Sequence, residues 1–158
     1  MIQVRKTEGK TELDKHFEIR KNVFQDEQGI SEKDEVDAYD KKRECQTYLA
    51  FYNGEAVGAA RWRENRAGYK LERICVLKEF RNHGIGKALV RALMKEVPSS
   101  MPPNLSAQAE VSAYYEQFGF KARGESFWEA GILHRYMKYY PDLDPETDEY
   151  QKARLMKK

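Results

Sequence analysis

The sequence predicts a single α/β domain, and three observations carry that prediction. Segments with the two-residue alternation of strands take turns with segments of helical spacing along most of the chain. One strand-like run, residues 70–77, passes through Gly84 and Gly86 directly into an amphipathic helix. Asn53-Gly54 sits between two β-rich runs, the strongest short-range signal for a hairpin.

The elements follow in order. Residues 2–6 alternate as a short strand. Residues 12–28 place Leu13, Phe17, Arg20, Phe24 and Gln28 at helical spacing, which predicts an amphipathic helix with a wet opposite face. Residues 29–40 read as an acidic loop or a weak short helix. Residues 47–52 and 56–63 are the arms of the hairpin, and Gly68 marks the turn into the strand at 70–77. Residues 84–97 gather Ile85, Leu89, Ala92, Leu93 and Val97 on one side of a helix that Pro98 and Pro102-Pro103 end. Residues 104–109 predict a strand, and 112–118 a short helix with Gly119 as its C-terminal cap. Strands at 120–127 and 132–139 follow, turning near Gly131. Asp144-Pro145 then starts a polar helix over 146–156. The reading is one domain over residues 1–140 and a C-terminal helical extension over 141–158.

Composition narrows the function classes. A chain of 158 residues and 18.5 kDa suits one domain with a core of its own. With 28 basic and 26 acidic side chains the net charge is +2, which speaks against a dedicated nucleic-acid binder. Two cysteines, Cys45 and Cys75, are too few for a disulfide framework or a zinc knuckle, and the three histidines are scattered, so no metal is expected. Cys75 is read as core packing, and His16 and His83 as exposed. No apolar run nears the roughly 20 residues of a membrane span, and residues 1–6 lack a secretory signal's apolar stretch. The expectation is a cytoplasmic protein without membrane or nucleic-acid partners.

Charge is segregated along the chain. Residues 26–40 hold seven acids against Lys33, and residues 61–91 hold nine basic side chains against three acids. One region would then meet a cation and the other an anion, unless both are simply solvated faces.

The turn at 81–87, Arg-Asn-His-Gly-Ile-Gly-Lys, is the most informative stretch. Its glycines let the backbone approach a ligand closely, and a helix N-terminus adds a positive dipole end suited to a phosphate or pyrophosphate. Arg81 and Lys87 are placed to add charge. A Walker A loop needs four residues between its glycines, and a dinucleotide fingerprint needs a third glycine where Leu89 stands. Arg81-x-x-Gly84-x-Gly86 instead resembles the coenzyme-binding motif of the GCN5-related N-acetyltransferases (GNAT). The resemblance covers roughly residues 2–140 and recurs in order: the strand at 71–76, the turn, then Tyr114-Tyr115-Glu116-Gln117-Phe118-Gly119-Phe120, similar to the family's FY-x-x-x-GF segment. Leu71-Glu72-Arg73-Ile74-Cys75-Val76-Leu77, the early Val23-Phe24-Gln25-Asp26-Glu27-Gln28, and Gly131-Ile132-x-His134 further resemble the small bacterial ElaA/YjcF-like subgroup.

The resemblance implies a mixed central sheet, splayed between its fourth and fifth strands and flanked by helices. Acetyl-CoA would be the co-substrate, its pantetheine arm pairing with the backbone of Ile74, Cys75 and Val76. Its pyrophosphate would sit on Arg81, Asn82, His83, Gly84, Ile85, Gly86 and Lys87, with Gln108 offering a further polar contact. The implied activity is acetyl transfer to a primary amine, of a small molecule or a peptide, by direct attack in a ternary complex. A non-catalytic acyl-CoA sensor is the alternative, and a homodimer is common in the family.

That chemistry needs a neutral amine, a stabilised oxyanion and a proton for the leaving thiolate. Tyr115 matches the family's tyrosine near the sulfur, and a phenol of pKa about 10 can protonate a thiolate of similar basicity. A hydrogen-bonded core tyrosine is the other reading. Glu72 and His134 are the candidate bases, against a buried pair of Glu72 with an arginine and a structural His134. Arg20, Phe24, Glu27 and Gln28 would line the acceptor wall, where acids would favour a cationic amine. Arg20 would either bind a substrate carboxylate or pair with Glu27. Trp62 and Trp128 would line the same cleft or fill core.

Overall fold

A computed structural model of the chain describes residues 1–148. They group into two compact units: Met1–Arg63 with Glu72–Leu93, and Glu64–Leu71 with the chain from Met94 on.

The first unit is built on antiparallel strands. β1 (Ile2–Lys6) pairs with β2 (Gln46–Tyr52), and β2 with β3 (Glu55–Asn65), with an irregularity at Ala50/Phe51. Asn53 and Gly54 both take positive φ, 49° and 87°, the two-residue hairpin turn that their pairing predicts. The later part of β4 (Gly68–Val76) lies next to β3 in the strand order. Between β1 and β2 run α1 (Gly9–Arg20), a π-helix (Lys21–Glu27), and the one-turn helices α2 (Glu32–Glu35) and α3 (Ala38–Lys41). The single helix expected over 12–28 is therefore two. Its buried face also differs from the apolar stripe in the sequence, because His16, Ile19, Arg20 and Val23 are the residues turned inward. Ile19 and Val23 pack with Leu49, Ala59 and Cys75, and Phe24 lies against that cluster. α4 (Ile85–Glu96) buries Ile85, Leu89, Val90 and Leu93. Gly58 makes room for it: a Cβ there would stand 3.1 Å from Leu89 Cδ1 and 3.1 Å from the Cys75 carbonyl.

The second unit carries the parallel pairing. The first residues of β4 run parallel to β5 (Pro103–Gln108), Tyr69 opposite Pro103 through Leu71 opposite Leu105. The ladder covers three pairs, while β4 continues to Val76 and β5 to Gln108. β8 (Ile132–Tyr139) is antiparallel to β5, and β6 (Phe120–Ala122) and β7 (Phe127–Glu129) both pair with β8. The strand expected over 120–127 is broken into two around Gly124, whose φ is 77°. α5 (Ser112–Glu116) packs against β5 and β6. Asn65 and Asn104 exchange reciprocal amide bonds of 3.0 and 3.1 Å, which satisfies the buried Asn104. The chain after β8 is docked: Tyr139 Oη donates to Asp144 at 2.7 Å, with Asp144 5% exposed. The polar helix expected over 146–156 lies, from residue 149 on, outside the described residues. No helix among the described residues is long and apolar enough to cross a membrane.

Candidate active site

The strand-to-helix turn belongs to the first unit. β4 holds Arg73 at φ 57°, an uncommon conformation for a side chain of this size. After Val76 the Leu77 N–H donates to the Val57 carbonyl at 2.9 Å, and a 3-10 turn at Lys78–Phe80 reverses the chain. Asn82 and Gly84 then take positive φ, 68° and 81°, just before α4 begins. The bond opening that helix runs from Ala88 N–H to the Gly84 carbonyl at 3.1 Å, so the N–H groups of Ile85, Gly86 and Lys87 precede any intrahelical acceptor. Left-handed backbone at the head of a helix is a setting in which N–H groups can gather round an anion. Nothing lies within 4 Å of where a Gly84 Cβ would stand, so this backbone faces open space. His83 stacks on Tyr52, ring centroids 5.1 Å apart. Among the residues that resemblance places on the pyrophosphate, Arg81 differs: its Nε donates to the Val76 carbonyl at 3.0 Å, and both Nη groups reach the Glu27 carboxylate at 2.7 Å.

The same unit contains a buried charge network. Arg20 is 0% exposed, and its five N–H donors are met by Glu35 Oε2, the Glu35 carbonyl, both oxygens of Asp40, and His16 Nε2. A guanidinium so enclosed has no donor left for a substrate carboxylate. Arg20 is thus not an acceptor-wall contact, nor does it pair with Glu27. Arg61, also 0% exposed, holds Asp37, Asp40 and Glu72. Glu72 Oε1 additionally accepts from Arg63 Nε at 2.9 Å, and Arg73 reaches Glu35 and Asp37. The arginines hold the Asp40 and Asp37 carboxyls below the usual carboxylate range even though burial alone would raise them.

His16 is buried rather than exposed. Its Nε2 accepts from Arg20, so Nδ1 carries the proton and donates to the Tyr48 carbonyl at 3.0 Å. Burial, with Arg20 adjacent, lowers its pKa to about 4, and the ring stays neutral. The segregated charges of the sequence largely answer each other. Of the seven acids at 26–40, Glu27, Glu35, Asp37 and Asp40 face Arg81, Arg20, Arg61 and Arg73, and Asp26 faces Lys21. Five of these seven acids therefore have basic partners within the protein. Phe24 is packed on the core and Gln28 is exposed at the end of the π-helix.

The second unit brings other candidates together. Gln108 on β5 stands directly opposite His134 on β8, and Phe127 on β7 opposes His134 from the other side. His134 stacks on Phe127 at 5.9 Å, and its Nδ1 donates to the Ile132 carbonyl at 2.7 Å. That bond selects the tautomer in which Nε2 keeps a lone pair. Tyr115 on α5 lies edge-on to Phe120 and tilted against Phe118, among aromatic rings. Trp128 is 74% exposed, whereas in the first unit Trp62 Nε1 donates to Tyr48 Oη at 3.0 Å.

Neither thiol is poised as a nucleophile, since burial pushes Cys75 up to about 12 and Cys45 up to about 11. Among the described residues no three His, Cys, Asp or Glu side chains are grouped to hold a metal ion. The role of His16 and the Glu27–Arg81 pair were not foreseen. The one sequence signal for either is the charge segregation, which is compatible with two binding faces or two solvated ones and does not by itself point to mutual neutralisation.

A mixed sheet with a short parallel β4–β5 ladder, and an open glycine turn into a helix N-terminus after β4, define an acyl-coenzyme-A transferase architecture. The chain belongs to the GNAT acetyltransferase family: the acetyltransferase (GNAT) domain profile matches residues 18–141. It is 36% identical over 125 residues to the uncharacterized N-acetyltransferase YjcF of Bacillus subtilis, covering 77% of this chain and 87% of that one. An acyl-CoA N-acyltransferase from Pseudomonas aeruginosa superposes with a TM-score of 0.75 at 26% identity, covering 89% and 99% of the two chains. Escherichia coli ElaA has the same fold, with a TM-score of 0.77 at 23% identity over 89% of this chain and 100% of its own.

Proposed function

We propose that this protein is an acetyl-CoA-dependent N-acetyltransferase acting on a primary amine of a small molecule or peptide. The carrying observation is the set of N–H groups at the head of α4, with left-handed Asn82 and Gly84 leading into it and open space over Gly84. These N–H groups suit the pyrophosphate, and Lys87 beside them adds charge. The backbone of Ile74 to Val76 pairs with the pantetheine arm.

In the proposed reaction the neutral amine attacks the thioester carbonyl carbon, forming the C–N bond. The tetrahedral intermediate then collapses with cleavage of the C–S bond. Tyr115 gives its phenolic proton to the departing thiolate, and a base takes the surplus amine proton. His134 is favoured as that base because the Ile132 carbonyl fixes its tautomer, leaving Nε2 as an acceptor, and Gln108 lies opposite it. Glu72 is the weaker candidate: its Oε1 already accepts from Arg61 and Arg63, which engages it in the buried network. Its role is to position that part of β4. Phe24 and Gln28 remain as acceptor contacts.

The test is thiol release from acetyl-CoA over a panel of amines, amino acids and peptides, with Tyr115→Phe in parallel. Acceptor-dependent release that drops about 100-fold in the variant is expected. Coenzyme binding without turnover for any acceptor would favour a sensor instead.

A further inference from the structure

We infer that Glu27 is a positioning residue for coenzyme binding: by clamping Arg81 it fixes the shape of the turn at residues 81–87. The inference rests on the proposed function and adds a residue that does not itself touch the coenzyme.

The geometry is a chain of three anchors around one guanidinium. Arg81 Nε donates to the Val76 carbonyl at 3.0 Å, which ties the turn to the last residue of β4. Its Nη1 and Nη2 donate in parallel to the two oxygens of Glu27, each at 2.7 Å. A two-pronged pair of this kind restricts direction as well as distance. The carboxyl of Glu27 is lowered from its ordinary value by that hydrogen bond, and the guanidinium is raised by it. With three of its five N–H donors engaged in this way, Arg81 holds the turn besides adding charge to it. The turn departs from regular backbone at two residues, Asn82 and Gly84, both left-handed, and the clamp fixes its first residue.

Glu27 reaches Arg81 because the helix is rewound. α1 ends at Arg20 and the π-helix Lys21–Glu27 follows, closing with Gln28 N–H on the Val23 carbonyl at 3.1 Å. One extra residue per turn changes where each later side chain points. From this one element Glu27 holds the turn, while Gln25 Nε2 donates to Glu35 Oε1 at 3.1 Å within the buried network. The π-helix is thus braced through Gln25 against the buried network, two residues before the Glu27 it delivers to the turn.

The experiment is calorimetric titration of coenzyme A into wild type, Glu27→Gln, Glu27→Ala, Arg81→Lys and the swap Glu27→Arg/Arg81→Glu, followed by steady-state kinetics. Glu27→Gln should weaken coenzyme binding about fivefold, Glu27→Ala at least as much, and the swap should recover part of the loss. At saturating coenzyme, kcat and the acceptor KM should stay within about twofold of wild type. Amide exchange without ligand should be faster at the first hydrogen-bonded residues of α4, from Ala88 on, in Glu27→Gln while α1 keeps its protection. Wild type that binds coenzyme with Glu27→Gln matching it would overturn the inference alone. So would variants that raise the acceptor KM as much as the coenzyme Kd. Wild type that does not bind coenzyme would overturn the function and this inference together.

Discussion

Arg20 and Arg61 differ from the turn at residues 81–87 in what their charge is for. The two arginines are fully enclosed, and each donor is met by a carboxylate, a carbonyl or His16. The turn has open space beside Gly84, an exposed Lys87, and helix N-terminal N–H groups with no intrahelical acceptor. Both regions are basic in sequence, and only burial and partners separate them. Positive charge that is internally answered builds the frame, and positive potential left unanswered by protein is where an anionic ligand belongs.

The comparison breaks most directly at Arg61. Arg61→Met takes from Asp37, Asp40 and Glu72 the one arginine they share, leaving each a single other arginine among the described residues, so urea unfolding at neutral pH should show a loss of about 3–5 kcal/mol. A loss below about 1 kcal/mol would mean the network is not the frame described.

A smaller effect sharpens the same side of the comparison through pH. His16 has a folded pKa of about 4, below the ordinary value of about 6.5, so protonation favours the unfolded chain. Its contribution is complete above pH about 6.5 and fades as the pH falls toward 4, a loss on the order of 3 kcal/mol. Asp40 and Asp37 are also lowered, so their contributions are complete above the ordinary carboxyl range of about 4 and are lost as the pH falls below it. Urea midpoints from pH 7.5 to 3 should therefore decline in two stages, and His16→Gln should remove the upper one. An unchanged upper stage in that variant would place its origin elsewhere.

The smallest effect lies on the other side. Lys87→Ala should leave stability within about 0.5 kcal/mol, because Lys87 is exposed. Its coenzyme affinity should fall about threefold, and less so in high salt. A destabilised Lys87→Ala would blur the division between frame and site.

The contrast also explains what was legible in the sequence. The order of strands and helices was readable because alternation, Asn53-Gly54 and the prolines act locally. The glycine turn was readable because left-handed backbone leaves its mark in residue type. The buried face of α1 is legible only in part: Arg20 lies on the expected stripe, whereas spacing does not reveal that His16 points inward or what Arg20 meets there. Their burial depends on Tyr48, Glu35 and Asp40, which lie 32, 15 and 20 residues away from the side chains they meet. The π-helix and left-handed Arg73 carry no residue signature, because tertiary contacts impose them. The break between β6 and β7 does have a residue signature, Gly124, whose φ of 77° a continuous strand does not accommodate.

The most direct test of the account is calorimetric binding of acetyl-CoA to wild type and Gly84→Val, with thermal unfolding of both. Valine at φ 81° opposes the left-handed conformation at the head of α4. The account predicts one-to-one binding by wild type, weakened roughly tenfold or more in the variant while the fold stays intact. Equal binding by a folded Gly84→Val, or no binding by wild type, would contradict it.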